Sequence, residues 1–185
     1  MTNSGTDEDK ELVRLVGQGD RGAMHTLYSA HIEYLTGVCS RYIVDNDELH
    51  DVLQESFVKI LTSISSFTWR GPGSLRAWMS KIVVNESLSS LRRSVRFDVL
   101  DSIPEAEPVY DSPPDPLRVP PDVLERMIQE LPAGYRTVFN LYVFENKSHK
   151  EIASLLGIKE NSSASQFNRA KKILAKKIND YTHRL

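Results

Sequence analysis

The sequence predicts an all-α protein of two small helical domains joined by an extended acidic, proline-rich linker. Three observations carry that prediction. Apolar residues recur at spacings of three and four through both ends of the chain. Seven of the nine prolines fall between Pro104 and Pro121. The charges nearly cancel overall, 23 Lys and Arg against 25 Asp and Glu, but they are segregated along the chain. The domains are placed at residues 1–97 and 121–185, with the linker at 98–120.

A chain of 185 residues with 40% hydrophobic and 26% charged positions is long enough for one ordinary domain or two small ones, and it is neither collagen-like nor wholly disordered. The single cysteine, Cys39, excludes an internal disulfide and a cysteine-cluster zinc site. None of the five histidines has ligand spacing, so neither a metal nor a cofactor is expected. No run approaches the roughly 18 apolar residues of a membrane span, and Met1 to Lys10 is polar and acidic, unlike a signal peptide. A cytoplasmic protein is expected.

In the first domain, Leu12, Leu15 and Val16 mark a short helix stopped near Gly17 and Gly19. Asp20 is placed to cap the second helix, whose Ala23, Leu27, Tyr28, Ile32 and Leu35 form an apolar face. In the third, Leu49, Leu53, Phe57, Ile60 and Ile64 lie within about 80° of one another at 100° per residue, with Glu48, Asp51, Glu55 and Lys59 opposite. The loop from Thr68 to Gly73 ends that run, and Ser74 is the expected N-cap of a fourth helix reaching about Arg96. Residues 70–96 hold six basic residues and one acid, Glu86. Trp78, Lys81, Asn85, Ser89, Arg92 and Arg96 share one side of that helix. They are residue types that contact phosphates and bases, and equally those of a merely solvated basic face.

The linker follows from the prolines, which cannot continue a helix, and from six acids between Asp98 and Leu117 with no Lys or Arg among them. Beyond it, Pro121 suits a helix start, and Val123, Leu124, Met127, Ile128 and Leu131 keep a 3.6 period until Pro132. A helix from about Ala133 to Phe144 comes next, then a pair at Ser148 to Leu156 and Asn161 to Ile178 separated by Gly157. Small Ala153, Gly157 at the turn and Ile158 beneath it suit a helix-turn-helix, although an αα-hairpin packed only for stability would look alike. Residues 161–185 hold six basic residues against Asp180.

Asp47 to Ile60, Phe67 to Met79 with Asn85 and Leu91 to Arg93, His149 to Ile158 and Ser165 to Leu174, in this order around an acidic strap, resemble the extracytoplasmic-function (ECF) sigma factors of bacterial RNA polymerase, in the sigma-70 superfamily. The resemblance covers nearly the whole chain. It implies a sigma region 2 domain, a sigma region 4 domain and a non-enzymatic initiation factor that directs the polymerase core to promoters and helps open them.

Specific roles follow from it. Asp51, Gln54 and Glu55 match positions that dock on the clamp helices of the largest polymerase subunit. Arg70, Trp78, Lys81, Asn85, Ser89 and Arg92 match the surface that captures the minus-ten element, with Trp78 open between core packing and base stacking. Asn161, Ser162, Ser165, Asn168, Arg169 and Lys172 match outward positions of the helix that reads the minus-thirty-five element. Ala164 stands where the family usually has a basic residue, and Ser163 where it usually has a buried valine. The linker would thread a cationic channel of the polymerase, or serve as an inert tether. The implied partners are the polymerase core, at its clamp helices and flap, promoter DNA, and an anti-sigma factor, often membrane-bound, with no small-molecule substrate. The competing reading is a stand-alone helix-turn-helix regulator. His50, Asp51 and Glu55 are the sole cluster an enzyme could use, and no phosphate loop or nucleophile elbow accompanies them.

Overall fold

The computed structural model of the chain describes residues 4–94 and 115–183. Most of the expected linker, together with Arg96, lies outside the described residues. Among those residues the regular structure is helical: α1 (Ser4–Gly17), α2 (Arg21–Ser40), α3 (Asn46–Ser63), α4 (Ser74–Ser94), α5 (Pro121–Gln129), α6 (Ala133–Val143), α7 (His149–Leu156) and α8 (Glu160–Thr182). Two 3-10 turns, Ile64–Ser66 and Pro116–Arg118, precede α4 and α5. Contacts along the backbone divide the chain into two units, Met1–Ser90 and Leu91–Leu185.

The first unit starts with α1, which packs on α2 and on the 3-10 turn after α3. As expected, Asp20 caps α2: its Oδ1 accepts from the Ala23 N–H at 2.7 Å. Asp45 does the same for α3, accepting from Glu48 N–H at 2.9 Å. The core is built from one face of each helix, with Leu27 and Leu35 of α2, Val52 and Ile60 of α3, and Leu75, Met79 and Val83 of α4 all buried. Fully burying such side chains contributes about 1.5 to 3 kcal/mol each. Tyr28 departs from the expected apolar face: it is 47% exposed, lying on Phe57 at a ring distance of 4.7 Å.

Polar links fasten α4 to its neighbours, among them Ser80 donating to the Tyr34 hydroxyl of α2 at 3.2 Å. Cys39 Sγ and Ser87 Oγ are 3.6 Å apart, the Ser90 hydroxyl donates to Glu48 at 2.6 Å, and Lys59 pairs with Glu86 at 2.6 Å. Burial pushes the Cys39 thiol above its ordinary range, so it is an inert packing residue. Ser74 does not cap α4 as expected. Its hydroxyl donates backwards to the Gly71 carbonyl at 2.6 Å, and the helix opens instead with Ala77 N–H donating to Gly73 O at 2.9 Å. Gly71 and Gly73 both hold positive φ, 118° and 78°, which side chains resist. The turn therefore closes on itself and leaves its rim to the loop.

In the second unit one core cluster joins Val119, Met127, Ile128, Leu131, Tyr135, Ala170, Leu174 and Ile178, so α5 and α6 pack along α8, and Val138, Leu141, Ile152 and Leu156 are buried as well. Arg136 seals the junction of α5 and α6. Its guanidinium is buried and donates to the carbonyls of Gln129 at 2.8 Å and Leu131 at 2.9 Å, carbonyls that α5 leaves unpaired where Pro132 interrupts it. Ser148 and Glu151 close α7 with a reciprocal capping box. Gly157 ends α7 in the left-handed region at φ 69°, and both its own N–H and that of Ile158 return to Ala153 O.

Candidate functional site

Three exposed faces carry the residues that the sequence singles out. The first is on α3, where Asp51, Gln54 and Glu55 are all exposed and line a shallow groove with Val58 and Lys59. Of the four polar residues expected opposite the α3 core, Glu48 and Lys59 are engaged by α4, which leaves Asp51 and Glu55 as the outward charges. Val58 is 56% exposed in the middle of them. In the sequence, Val58 is the apolar residue that interrupts the polar face of α3. Two carboxylates, an amide and a bare isopropyl group suit a basic surface with an apolar centre.

The second face runs along α4. Lys81 and Asn85 are exposed and Ser89 is half-buried, and Arg92, past the end of the first unit, is exposed with its Nη1 donating to the Leu155 carbonyl at 3.4 Å. Arg70 is exposed on the loop before the helix, and its N–H donates to Ser74 Oγ at 3.3 Å. Trp78 takes an intermediate position. It is half-buried, its ring 5.4 Å from Phe67, and Phe67 in turn meets Trp69 edge-on at 6.4 Å. The ammonium of Lys10 on α1 lies 5.5 Å from the Trp69 ring, a cation–π contact. Neither Trp69 nor Lys10 was among the expected site residues, and only the fold brings α1 to this loop. Nearby, Arg76 lies over Tyr34 at 4.7 Å.

The third face is the start of α8. Asn161, Ser165 and Asn168 are exposed and Lys172 is half-buried, and the four fall within about 60° at 100° per residue. Ser162 and Ala164 are half-buried on either side. Arg169 is the correction: expected to point outward, it is half-buried, and its Nη1 donates to the Tyr135 hydroxyl on α6 at 3.5 Å. At 80° from Asn161 it stands on the flank, where the α6 tyrosine captures the guanidinium. Lys171 is exposed, its ammonium 5.0 Å from the Phe167 ring. Ser163 is buried completely, as the position demands, and its hydroxyl finds His149 Nδ1 at 3.0 Å.

Among the described residues no group of three or more His, Cys, Asp or Glu side chains is placed to hold a metal ion. Nor is any described helix long and apolar enough to cross a membrane.

Comparison with known proteins gives the family. The Sigma-70 region 2 family model matches residues 27–97, and the Sigma-70, region 4 model matches residues 122–174. The chain is 32% identical to the ECF RNA polymerase sigma-E factor of Haemophilus influenzae, covering 92% of this chain and 95% of that protein. It is 27% identical to the RNA polymerase sigma-H factor of Pseudomonas aeruginosa, covering 93% and 94%. Among solved structures it is similar to a chain in "Structure of CnrH in complex with the cytosolic domain of CnrY", at 21% identity and a TM-score of 0.49, covering 93% of this chain and 97% of that one. The chain belongs to the sigma-70 family and is an RNA polymerase sigma factor of the extracytoplasmic-function type. The stand-alone regulator is accordingly not favoured.

Proposed function

We propose that this chain is the promoter-selecting subunit of RNA polymerase, with its surfaces divided between the enzyme and the DNA. The carrying observation is the opposition of charge within the first unit: Asp51, Gln54 and Glu55 stand exposed on α3, while Arg70 stands exposed on the loop before α4 and Lys81 and Asn85 on α4 itself. Opposite signs on separate faces of one helical bundle suit two different partners, a basic protein surface and a polyanion.

In this reading α3 docks on the clamp helices of the largest subunit, with Val58 entering the apolar part of the contact. Arg70 and the α4 row hold the minus-ten element, with the aromatic group of Phe67, Trp69 and Trp78 beside the loop. Holding an unstacked base against such a surface contributes about 1 to 3 kcal/mol, which offsets part of the unpairing cost without hydrolysis of any cofactor. In the second unit Asn161, Ser165, Asn168 and Lys172 face the major groove of the minus-thirty-five element. Amides and hydroxyls can pair with base edges there, and Lys172 attracts phosphate. Arg169 assists from the flank. The second unit also meets the polymerase flap, the acidic strap occupies a cationic channel until RNA displaces it, and an anti-sigma factor restrains the whole by covering the faces that bind the core.

The deciding experiment is transcription in vitro with purified core and genomic fragments, with and without the chain. Specific start sites that appear only on its addition support the reading. Tight promoter binding by the chain alone, with no effect on the core, would return it to the stand-alone regulator.

A further inference from the structure

Ser163 puts a hydroxyl in a position that is wholly out of water. A buried hydroxyl without a partner is costly, so the side chain that satisfies it matters. That side chain is His149, the first residue of α7, whose Nδ1 lies 3.0 Å from Ser163 Oγ. The imidazole is itself held in place. Tyr142 of α6 stacks on it at 4.8 Å and 23°, and Phe167, one turn beyond Ser163 on α8, meets it at 5.7 Å. Tyr142 and Phe167 touch each other at 4.3 Å. Three helices thus converge on one polar contact between the two arms of the helix-turn-helix.

The consequence lies in directionality. Apolar side chains in a helix interface tolerate small rotations, because dispersion falls off gently with angle. A hydrogen bond weakens steeply as its distance and direction change. The exposed Asn161 and Ser165 are each two residues from Ser163, on the far side of α8. A bond that fixes the rotation of Ser163 about the helix axis therefore also fixes where those two side chains point.

We propose that His149 and Ser163 form a positioning couple that sets the rotational register of α8, and so governs which bases it distinguishes, without either residue touching DNA. The inference rests on the reading of α7 and α8 as a DNA-binding pair.

The test uses the full chain with polymerase core. Binding is measured to a matched promoter, to promoters with single changes in the minus-thirty-five element, and to unrelated duplex. His149→Phe keeps the stacked ring and deletes the nitrogen, Ser163→Ala deletes the hydroxyl, and the double variant removes both. Each single variant should lower the preference for matched over mismatched promoter by about fivefold to tenfold, with affinity for unrelated duplex unchanged. The double variant should lose no more preference than either single one. It should also regain the thermal midpoint that each single variant loses, because no unpaired polar group remains, while its preference stays low. Single variants that discriminate like the unaltered chain would overturn the couple, as would a double variant whose preference recovers together with its midpoint. An unaltered chain with no preference for any minus-thirty-five sequence would overturn the DNA-reading role itself, and the couple with it.

Discussion

Lys59 Nζ lies 2.6 Å from Glu86 Oε2, so the lone acid within the basic stretch Arg70 to Arg96 is neutralised from the neighbouring helix α3. The exposures are unequal, 57% for the lysine side chain and 11% for the glutamate. Losing the lysine therefore strands a nearly enclosed carboxylate, whereas losing the glutamate merely frees an ammonium to water. Lys59→Met should lower the stability of the first unit by about 1 kcal/mol, and Glu86→Gln by less. Calorimetric melting of both variants checks the order, and equal or reversed losses would contradict the asymmetry.

Asp51 and Glu55 are exposed and make no contact that holds the fold together. Asp51→Lys with Glu55→Lys should abolish association with polymerase core in gel filtration while leaving the circular dichroism and melting unchanged. Val58→Glu should weaken association by roughly tenfold, since it introduces a charge at the apolar centre of the patch. Retained binding by the charge-reversed pair would remove α3 from the interface.

The helices were legible because their apolar periods are strong. Leu49, Leu53, Phe57 and Ile60 announce α3 and are all buried, and Asp20 announces α2 by the chemistry of its cap. What was not legible lies in pairings between distant residues, which no local period encodes. Glu48 and Lys59 read as solvent-facing until α4 claims them, and Arg169 reads as outward until Tyr135, 34 residues earlier, captures it. The Lys10 and Trp69 contact depends on α1 packing beside the loop, for the same reason. Ser74 failed as a cap because Gly73 stands one position earlier in a turn the hydroxyl can close. The candidate faces on α3 and α4 could be read almost whole, since exposure there follows directly from the wheel.

Arg169 and Asn168 are neighbours in sequence with different expected phenotypes. Arg169 is half-buried against α6 and Asn168 is exposed. Arg169→Ala should cost the second unit about 1 kcal/mol, a fall of roughly 4 to 8 °C in its melting midpoint. Asn168→Ala should leave the midpoint alone and weaken promoter binding by roughly 1 to 3 kcal/mol if it meets a base edge. Thermal melting alongside promoter titration separates the two. An unchanged midpoint for Arg169→Ala would mean that its contact with Tyr135 contributes nothing to the fold.

His31 on α2 is 8% exposed, and its Nδ1 has no hydrogen-bond partner among the described residues. Burial holds its pKa below the ordinary value of 6.5, the nearby Arg76 charge acts in the same direction, and Asp9 opposes them. The folded chain thus takes up a proton less readily than the unfolded one. This contribution to stability is present above the ordinary histidine range and is lost as the pH falls below 6.5. His31→Leu should flatten that fall in the melting midpoint between about pH 7 and pH 5. The same slope in the variant would assign the pH dependence to other groups.

The basic residues at the end of α8 differ in what they can still give to DNA. Lys177 is half-buried and already paired with Glu130 at 2.5 Å, whereas Lys171 and Lys176 are exposed. Only a cation that displaces counterions from phosphate contributes to the salt dependence of binding, and one spent on a carboxylate of its own unit does not. Lys171→Gln should therefore reduce the slope of log affinity against log salt by about one while affecting matched and unrelated promoters alike. Lys177→Gln should leave the slope unchanged and slightly lower the stability of the second unit, because α5 loses a tether to α8. Promoter titrations between 50 and 200 mM salt, the range over which such slopes are resolved, distinguish the two. If Lys177→Gln flattened the slope as much as Lys171→Gln, the pair with Glu130 would have to open on DNA, and Lys177 would count among the residues of α8 that face it.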